Sequence, residues 1–460
     1  MPPQKTSSLK TYFDNIAVTN GDDECRAWLE RVLDLKTELA TFVADHREGN
    51  GTGNYVSFLK GSFNFSFSFS FSFTDGGPDA IIRSPKPGHM ATALRDEKVT
   101  NEVQVMEYLA QNTTIPLPRV HSWGLTAESL KQLGPFIIMD SVDGMLLSTL
   151  LKRQSENGEE VILLNQDFDN TALDKIYYQI ADGMLQLSQL TTFTHIGAIS
   201  KRHGSNIWSV IRRPLTYNMN ELMTVAGYPA NKFPTAPFDR ASDYFRSVAN
   251  EHLNHLRTQR NLADDAGIVQ KRFVARYQFA QLIPKYCVDD AGPFIPFCND
   301  MRPSNMLIDP DTLRITAVLY FEFTNTMPAQ FTYDPPWWLL LSGPEWWLDR
   351  CSMEEFVTDY KPRMEQFLRA LERVGKEASL KKQPSGTLLS TRMRGSWRSG
   401  RFWFNYAARK SFEVDGVYWA ALHDGSSSVQ LFSEAVHAEI EDLTKMKMEQ
   451  LKAYKEECTA

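Results

Sequence analysis

Two residues of a short polar segment carry the clearest chemistry in this sequence. Asp300 is followed five residues later by Asn305, and an apolar run at 315–319 comes next. A carboxylate and an amide at this spacing suit phosphoryl transfer, in which the acid takes the proton of an acceptor hydroxyl and the amide oxygen holds magnesium on the nucleotide phosphates. The sequence therefore predicts Asp300 as a catalytic base and Asn305 as a metal ligand.

The same chemistry requires a second metal-binding aspartate just after the following strand, and Tyr320 occupies that place. A phenol has an ordinary pKa near ~10, so it is neutral at physiological pH, and magnesium prefers carboxylate and phosphate oxygens. Glu322 lies two residues further on, which puts it on the same face of an extended backbone. Glu322 is therefore the remaining candidate for the second metal ligand.

The elements that must position these residues begin with a strict alternation of phenylalanine and small polar residues between Phe63 and Phe73. Period two places every phenylalanine on one face, which predicts a half-buried strand or hairpin; the alternative is a low-complexity, aggregation-prone tract. A strand at 80–83 and a helix at about 96–111 follow. In this order, typical of a kinase small lobe, Arg83 of the strand would neutralise phosphate oxygens and Glu102 of the helix would fix the Arg83 side chain.

Beyond this region the pattern becomes helical. The apolar segment 135–140 predicts a strand, and its exit at 141–144 predicts a hinge between two lobes. Helical periodicity follows at 171–190, 238–260, 353–374 and 432–454. We therefore expect a helical extension at 1–50, a small β-rich nucleotide lobe at 51–140 and a C-terminal helix at 426–460. The mainly helical lobe between them, 141–425, would contain the catalytic loop at 298–309 and the metal strand at 315–324.

Composition excludes several classes of function. The net charge is −7 and 42% of the residues are hydrophobic, which predicts a globular protein with neither a nucleic-acid footprint nor affinity for an anionic membrane. The five cysteines are scattered and form no Cys-x-x-Cys pair, so neither a disulfide framework nor a zinc site is indicated. The N-terminal residues lack the pattern of a secretion signal, and a cytoplasmic location is expected. His252 and His255, one helical turn apart, are expected on a solvated helix face.

Three longer motifs extend the pattern around Asp300, at 299–309, 321–324 and 333–341, and four shorter ones support them, at 61–64, 97–103, 115–120 and 399–404. On these motifs the chain resembles the fungal branch of the aminoglycoside phosphotransferase and choline kinase-like family, over residues 55–425. The resemblance implies an α+β, bilobal protein-kinase-like fold, with a small antiparallel β-sheet lobe and a larger, mainly helical lobe. It also implies transfer of the γ-phosphate of ATP to a hydroxyl of a small molecule.

Carried over by position, the resemblance makes Asp300 the base, Asn305 a magnesium ligand, and Arg83 with Glu102 the phosphate-binding pair. It makes the segment from Gly61 and Ser62 to residue 66 the cover of the phosphates, with ATP and Mg²⁺ as cofactors. This segment has a single glycine before its phenylalanines, whereas backbone amides approach phosphates closely only where side chains leave room.

Because of Tyr320 and this glycine-poor segment, three functions stay open. They are a small-molecule phosphotransferase, a pseudokinase that serves as a binding or scaffold protein, and a fold reused in another reaction of fungal metabolism. The sequence specifies neither the acceptor nor a protein partner.

Overall fold

The computed structural model describes residues 9, 12–47, 51–60, 66–154, 162–202, 204–381, 388–425 and 432–459. These residues form two lobes, a smaller one built on an antiparallel β-sheet and a larger one that is mainly helical. The predicted α+β, bilobal architecture is therefore confirmed. Within these ranges, no helix combines the length and the apolar character needed to cross a membrane.

Two helices precede the small sheet, α1 (Asn15–Asp34) and α2 (Lys36–His46). Helix α1 begins after Asp14 because the carboxylate of that residue accepts a hydrogen bond from the amide two residues further on, at 3.0 Å. Such a cap satisfies one of the backbone N–H groups that a first helical turn leaves unpaired. Trp28 of α1 is buried among side chains of the sheet, so the predicted helical extension covers one face of the small lobe.

The small lobe contains a five-stranded antiparallel sheet in the order β1-β2-β3-β5-β4. Its strands are β1 (Gly53–Lys60), β2 (Ser66–Phe73), β3 (Ala80–Pro85), β4 (Val120–Gly124) and β5 (Phe136–Asp140). Phe69, Phe71 and Phe73 of β2 are all buried, as the alternation predicts. Phe63 and Phe65 lie outside the described residues.

Helix α3 (Arg95–Asn112) follows β3 and agrees with the helix predicted at 96–111. It packs on the sheet through a small apolar cluster with strand β5, formed by Val99, Val103, Ile137 and Met139. Arg83 stands opposite Ile137 in the β3–β5 pairing. The apolar contact therefore fixes α3 next to the strand that carries Arg83.

The chain enters the large lobe through residues 141–144, after which β6 (Met145–Leu146) pairs with a strand of that lobe. The further strands are β7 (Ala198–Lys201), β8 (Trp208–Arg212), β9 (Phe294–Phe297), β10 (Met306–Asp309), β11 (Arg314–Val318) and β12 (Asn325–Pro328). The helices are α4 (Leu147–Leu151), α5 (Asn170–Ser188), α6 (Tyr217–Ala226), α7 (Ala241–Thr258), α8 (Ala266–Gln281), α9 (Ile283–Tyr286), α10 (Ala329–Thr332), α11 (Pro344–Arg350), α12 (Met353–Lys381), α13 (Leu389–Ser399), α14 (Arg401–Ala408), α15 (Val414–Val417) and α16 (Glu434–Thr459).

The strands of the large lobe position the predicted catalytic segment. Strands β9 and β12 run antiparallel, with Phe297 opposite Asn325. The loop 298–305 leaves the end of β9 at Phe297, and the turn 319–324 enters β12 at Asn325. Loop and turn therefore lie at the same end of this two-stranded ribbon, which brings the surroundings of Asp300 close to Phe323.

A buried ionic group holds the helices of the large lobe together. Arg276 of α8 approaches both carboxylate oxygens of Asp415 in α15, at 2.8 and 2.9 Å, and Arg272 approaches Oδ2 of Asp415 at 2.6 Å. All three side chains are at most 1% exposed. We call Arg272, Arg276 and Asp415 the core cluster.

The expectation that His252 and His255 lie on a solvated helix face is wrong, because both side chains are fully buried. Nδ1 of His252 is 2.8 Å from Oγ of Ser411, and Nε2 of His255 is 2.7 Å from the amide oxygen of Gln259. Burial, reinforced by the charge of Arg276, lowers the pKa of His252 to about 3. His252 is therefore neutral at physiological pH.

Candidate active site

The loop after β9 brings the two predicted catalytic residues together. A turn at Pro303–Asn305 closes the loop before β10 begins. The side-chain amide of Asn305 donates to Oδ2 of Asp300 at 2.6 Å and to the Asp300 carbonyl oxygen at 2.8 Å. Because these bonds use the nitrogen of the Asn305 amide, its oxygen is directed elsewhere.

An ion pair also orients the Asp300 carboxylate. Nε of Arg302 lies 2.8 Å from Oδ1 of Asp300, and the Asp300 side chain stays 26% exposed. Asn305, by contrast, is only 2% exposed. Asp300 is thus a fixed carboxylate with one accessible side, which is what a general base for a small-molecule hydroxyl requires.

Two residues outside the loop hold it in place. The indole N–H of Trp337 donates to the carbonyl oxygen of Asn299 at 3.3 Å, and Nη1 of Arg409 donates to Oδ1 of Asn299 at 3.3 Å. The guanidinium of Arg302 lies 5.6 Å from the centre of the Trp337 ring, within the range of a cation–π contact. These contacts fix the residue before Asp300 from the side of the helical lobe.

The predicted pair of the small lobe is also brought together. Arg83 of β3 and Glu102 of α3 form an ion pair between Nη2 and Oε1, with the two side chains 5% and 0% exposed. Burial alone would raise the pKa of Glu102, but the charges of Arg83 and Lys98 outweigh it and hold that pKa below its ordinary value. Glu102 is therefore ionised.

Lys98, which the sequence does not single out, joins this pair to the large lobe. Its ammonium lies 3.3 Å from Oε2 of Glu102 and forms a closer ion pair with Oε2 of Glu322. The side chains of Lys98 and Glu322 are 1% and 3% exposed. We call Arg83, Lys98, Glu102 and Glu322 the interlobe cluster, because the first three belong to the small lobe and Glu322 to the turn before β12.

The sequence contains a hint of the ion pair between Lys98 and Glu102, but the hint is ambiguous. Lys98 precedes Glu102 by four residues on one helix, and such pairs are usually solvated. It is buried here because Glu322, distant in sequence, is folded against the same face of α3. Burial raises the pKa of Glu322, and the ammonium of Lys98 offsets this only in part.

Tyr320, which stands where a metal-binding aspartate is expected, contacts the interlobe cluster. The guanidinium of Arg83 lies 4.9 Å from the centre of the Tyr320 ring. The φ angle of Tyr320 is +62° and that of Phe323 is +61°. This left-handed conformation suits glycine, asparagine and aspartate and costs other residues roughly 1–2 kcal/mol, so the turn has a backbone shape better suited to aspartate than to tyrosine.

Magnesium fits one predicted ligand of this site better than the other. The amide oxygen of Asn305 accepts no hydrogen bond from the described residues, so it can hold a metal ion that arrives with nucleotide phosphates. The carboxylate of Glu322 is already paired with an ammonium. In the described part of the chain, no group of three His, Cys, Asp or Glu side chains is arranged to bind a metal. Gly61 and Ser62, the predicted phosphate cover, lie outside the described residues.

A cleft opens beside the catalytic loop and encloses about 570 Å³ of space, part of it open to solvent. Asn299, Tyr217 and Phe323 line it next to Asp300, and the rings of Tyr217 and Phe323 meet edge to face with centres 6.0 Å apart. Glu251 and Arg409 are its only lining residues of a charged type among those described. Burial raises the pKa of Glu251 to about 8, so this carboxyl is largely protonated at neutral pH.

The match to a family model defines the class of the protein as a kinase-like phosphotransferase. The chain belongs to the phosphotransferase enzyme family (APH), whose family model matches residues 63–371. No curated protein sequence matches the chain.

Several solved structures are similar to the chain at low identity. A candidate aminoglycoside phosphotransferase from Ralstonia eutropha JMP134 is 15% identical, with a TM-score of 0.44 and coverage of 90% of this chain and 97% of that one. An ethanolamine kinase from Plasmodium vivax is 12% identical, with a TM-score of 0.37. The match covers 90% of this chain and 85% of that one. The aminoglycoside phosphotransferase APH(3'')-Id from Streptomyces rimosus, in complex with ADP and streptomycin, is 14% identical, with a TM-score of 0.34 and coverage of 84% and 99%. Family membership rests on the sequence match alone.

Proposed function

We propose that the chain transfers the γ-phosphate of ATP to a hydroxyl of a small molecule. The observation that carries this proposal is the pair formed by Asp300 and Asn305, with 2.6 Å between the Asn305 amide nitrogen and Oδ2 of Asp300. Family membership over residues 63–371 supports it. The finer assignment, to the fungal, choline kinase-like branch of the family, is part of the same proposal.

In this mechanism Asp300 accepts the proton of the acceptor hydroxyl as the hydroxyl oxygen attacks the γ-phosphorus of ATP. The bond between that phosphorus and the oxygen bridging to the β-phosphate breaks, and ADP leaves. Asn305 donates a hydrogen bond of 2.6 Å to one carboxylate oxygen, and Arg302 forms an ion pair of 2.8 Å with the other, so the base is oriented before the acceptor arrives. Magnesium bound with the nucleotide would neutralise phosphate charge, and the amide oxygen of Asn305 would hold it. Arg83, fixed by Glu102, would face the phosphates, and the acceptor would enter through the cleft beside Asn299.

The first test is nucleotide binding and turnover by the full chain. We expect ADP or ATP with Mg²⁺ to raise the melting temperature and a panel of hydroxyl compounds to contain an acceptor. Replacing the base in Asp300→Ala should lower turnover by about 100- to 10,000-fold without loss of nucleotide binding. Asp311→Ala, in an exposed turn of the same lobe, is the matched control. Absence of any nucleotide-dependent stabilisation would contradict the proposal.

A second candidate function, a pseudokinase that binds partners without transferring phosphate, is favoured by one specific observation. The position expected to bind the second metal is a phenol whose ring centre lies 4.9 Å from the guanidinium carbon of Arg83. The variant Tyr320→Asp separates the two candidates. If the wild-type chain is inactive and the variant hydrolyses ATP, only this ligand is missing. If both are inactive although nucleotide binds, the pseudokinase function is supported.

A further inference from the structure

The interlobe cluster contains one more cation than the kinase template requires. That template pairs one cation of the third strand with one acid of the following helix, and a metal ion binds the aspartate at the position of Tyr320. Here Arg83 and Glu102 form the expected pair, and Lys98 adds an ammonium that contacts both Glu102 and Glu322. Two cations therefore face two carboxylates, and the cluster is neutral without any bound ion.

Because the cluster is buried, its charge balance determines whether a divalent cation can bind at Glu322. The side chains of the cluster are between 0% and 5% exposed, so none of its charges is compensated by water. A divalent cation at Glu322 would add two positive charges next to Lys98, with no remaining carboxylate of the cluster to compensate them. Tyr320 supplies no charge of opposite sign because a phenol is neutral at physiological pH.

An ordinary structural explanation of Lys98 is an ion pair within helix α3. The distances argue against it as the main role, because the ammonium is 3.3 Å from Glu102 of its own helix and forms its closer contact with Glu322 of the other lobe. The contact thus joins α3 to the turn that contains Tyr320 and Phe323. This turn is the segment that carries the second metal ligand in the template.

We propose that the ammonium of Lys98 takes the electrostatic role of the second metal ion, so that Glu322 binds Lys98 and holds no divalent cation. Lys98 is then a positioning residue for the Tyr320–Glu322 turn, and the site has at most one metal position, at Asn305. The proposal concerns the chain without nucleotide, so it stands or falls separately from the proposed phosphoryl transfer.

The test is Mn²⁺ binding to the full chain in the absence of nucleotide, measured by electron paramagnetic resonance of free Mn²⁺. We expect Glu322→Gln to leave the binding isotherm of the wild-type protein unchanged. In Lys98→Met the two carboxylates keep only Arg83, and we expect Mn²⁺ binding to tighten by about tenfold or more, equivalent to roughly 1.4 kcal/mol. The double variant Lys98→Met/Glu322→Gln should lose this gain, which a purely structural role of Lys98 would not produce.

Lys447→Met is the matched control, because Lys447 is also a buried lysine but contacts Gln259 and Gln450 instead of a carboxylate. It should not change Mn²⁺ binding. Loss of wild-type Mn²⁺ binding in Glu322→Gln would overturn the proposal, and so would a folded Lys98→Met protein that gains no Mn²⁺ site. If Lys98→Met does not fold, the Glu322→Gln comparison decides alone.

Discussion

The molecule contains two buried ionic clusters, and they are built differently. In the core cluster both oxygens of Asp415 receive hydrogen bonds of 2.6–2.9 Å, and Arg276 also donates to the carbonyl oxygens of His252 and Ser411. In the interlobe cluster the charged atoms are within ion-pair distance, yet neither oxygen of Glu102 nor Oε2 of Glu322 receives a hydrogen bond of regular geometry from a described residue.

The difference separates a structural role from a functional one. Directional hydrogen bonds to every oxygen compensate the loss of water around a buried charge, so the core cluster is suited to holding helices together. The interlobe cluster relies on charge alone, and buried polar atoms left without regular hydrogen bonds are typical of sites that bind a ligand or change conformation. We therefore expect the core cluster to contribute more to stability than the interlobe cluster.

The largest expected effect comes from breaking the core cluster. Asp415→Asn leaves two buried guanidinium groups without an anion, and we expect the free energy of unfolding to fall by about 3–5 kcal/mol. Urea unfolding followed by tryptophan fluorescence measures it. The control Asp23→Asn removes an exposed ion pair with Arg26 and should change the value by no more than about 0.5 kcal/mol. A loss below about 1 kcal/mol in Asp415→Asn would remove the distinction between the clusters.

The second prediction concerns the strength of the contact between Lys98 and Glu322. A double-mutant cycle with Lys98→Met and Glu322→Gln should give a coupling energy of about 1–2 kcal/mol in unfolding. The cycle with Arg276→Met and Asp415→Asn should give a larger one, because that pair adds two regular hydrogen bonds to the charge interaction. Equal coupling energies would show that hydrogen-bond geometry does not distinguish the clusters.

The clusters should also differ in their response to pH. The folded-state pKa of Glu322 is raised, mainly by burial, so the folded state binds more protons than the unfolded state. The contribution of this residue to stability therefore falls as pH rises above the ordinary glutamate pKa of about 4.3. Burial would raise the pKa of Asp415, but Arg276 and Arg272 outweigh it and lower that pKa. The contribution of Asp415 to stability is complete at neutral pH and is lost only as pH falls below about 3.9.

Melting curves of the wild type and the two variants between about pH 5 and pH 8 measure this difference. The stability of Glu322→Gln relative to the wild type should improve as pH rises, by at most about 1.4 kcal/mol per pH unit, and should level off once Glu322 is ionised in the folded state. That of Asp415→Asn should stay constant over the same range. A constant difference for both variants would show that Glu322 does not titrate abnormally.

The smallest expected effect tests the contact between Tyr320 and Arg83. Tyr320→Leu removes the ring but keeps a side chain with the same left-handed backbone cost, so the free energy of unfolding should fall by about 1 kcal/mol through loss of the cation–π contact. Tyr320→Phe keeps the ring and should lose less. Thermal melting distinguishes the two variants, and an equal loss in both would assign the role of Tyr320 to its hydroxyl.

Local patterns were sufficient to predict the framework of the fold. The alternation of Phe69, Phe71 and Phe73 with serine predicts β2, and helical periodicity predicts α3 and the long helices of the second lobe. The kinase-type spacing of Asp300 and Asn305 predicts that the two residues serve one site, and their side chains are in contact. These features depend on residues close together in the sequence.

Features that depend on distant contacts could not be predicted. Lys98 has the appearance of a solvated lysine until Glu322, far along the chain, is placed against α3. His252 and His255 have the spacing of an exposed helix face, but rings of Phe279 and Phe412 pack against them with centres 5.1 and 4.6 Å away. In each case the partner that decides burial comes from another element, and a single sequence does not contain that pairing.

The conformation of Tyr320, with φ at +62°, has a genetic consequence. The codons of tyrosine and aspartate differ at a single base, and an aspartate would enter this main-chain geometry more easily than the phenol does. Exchange between the two residues therefore requires one point mutation and would relieve the main-chain cost at this position. In natural populations of this gene, screening for that nucleotide change would identify variants in which a carboxylate has entered this turn without laboratory design.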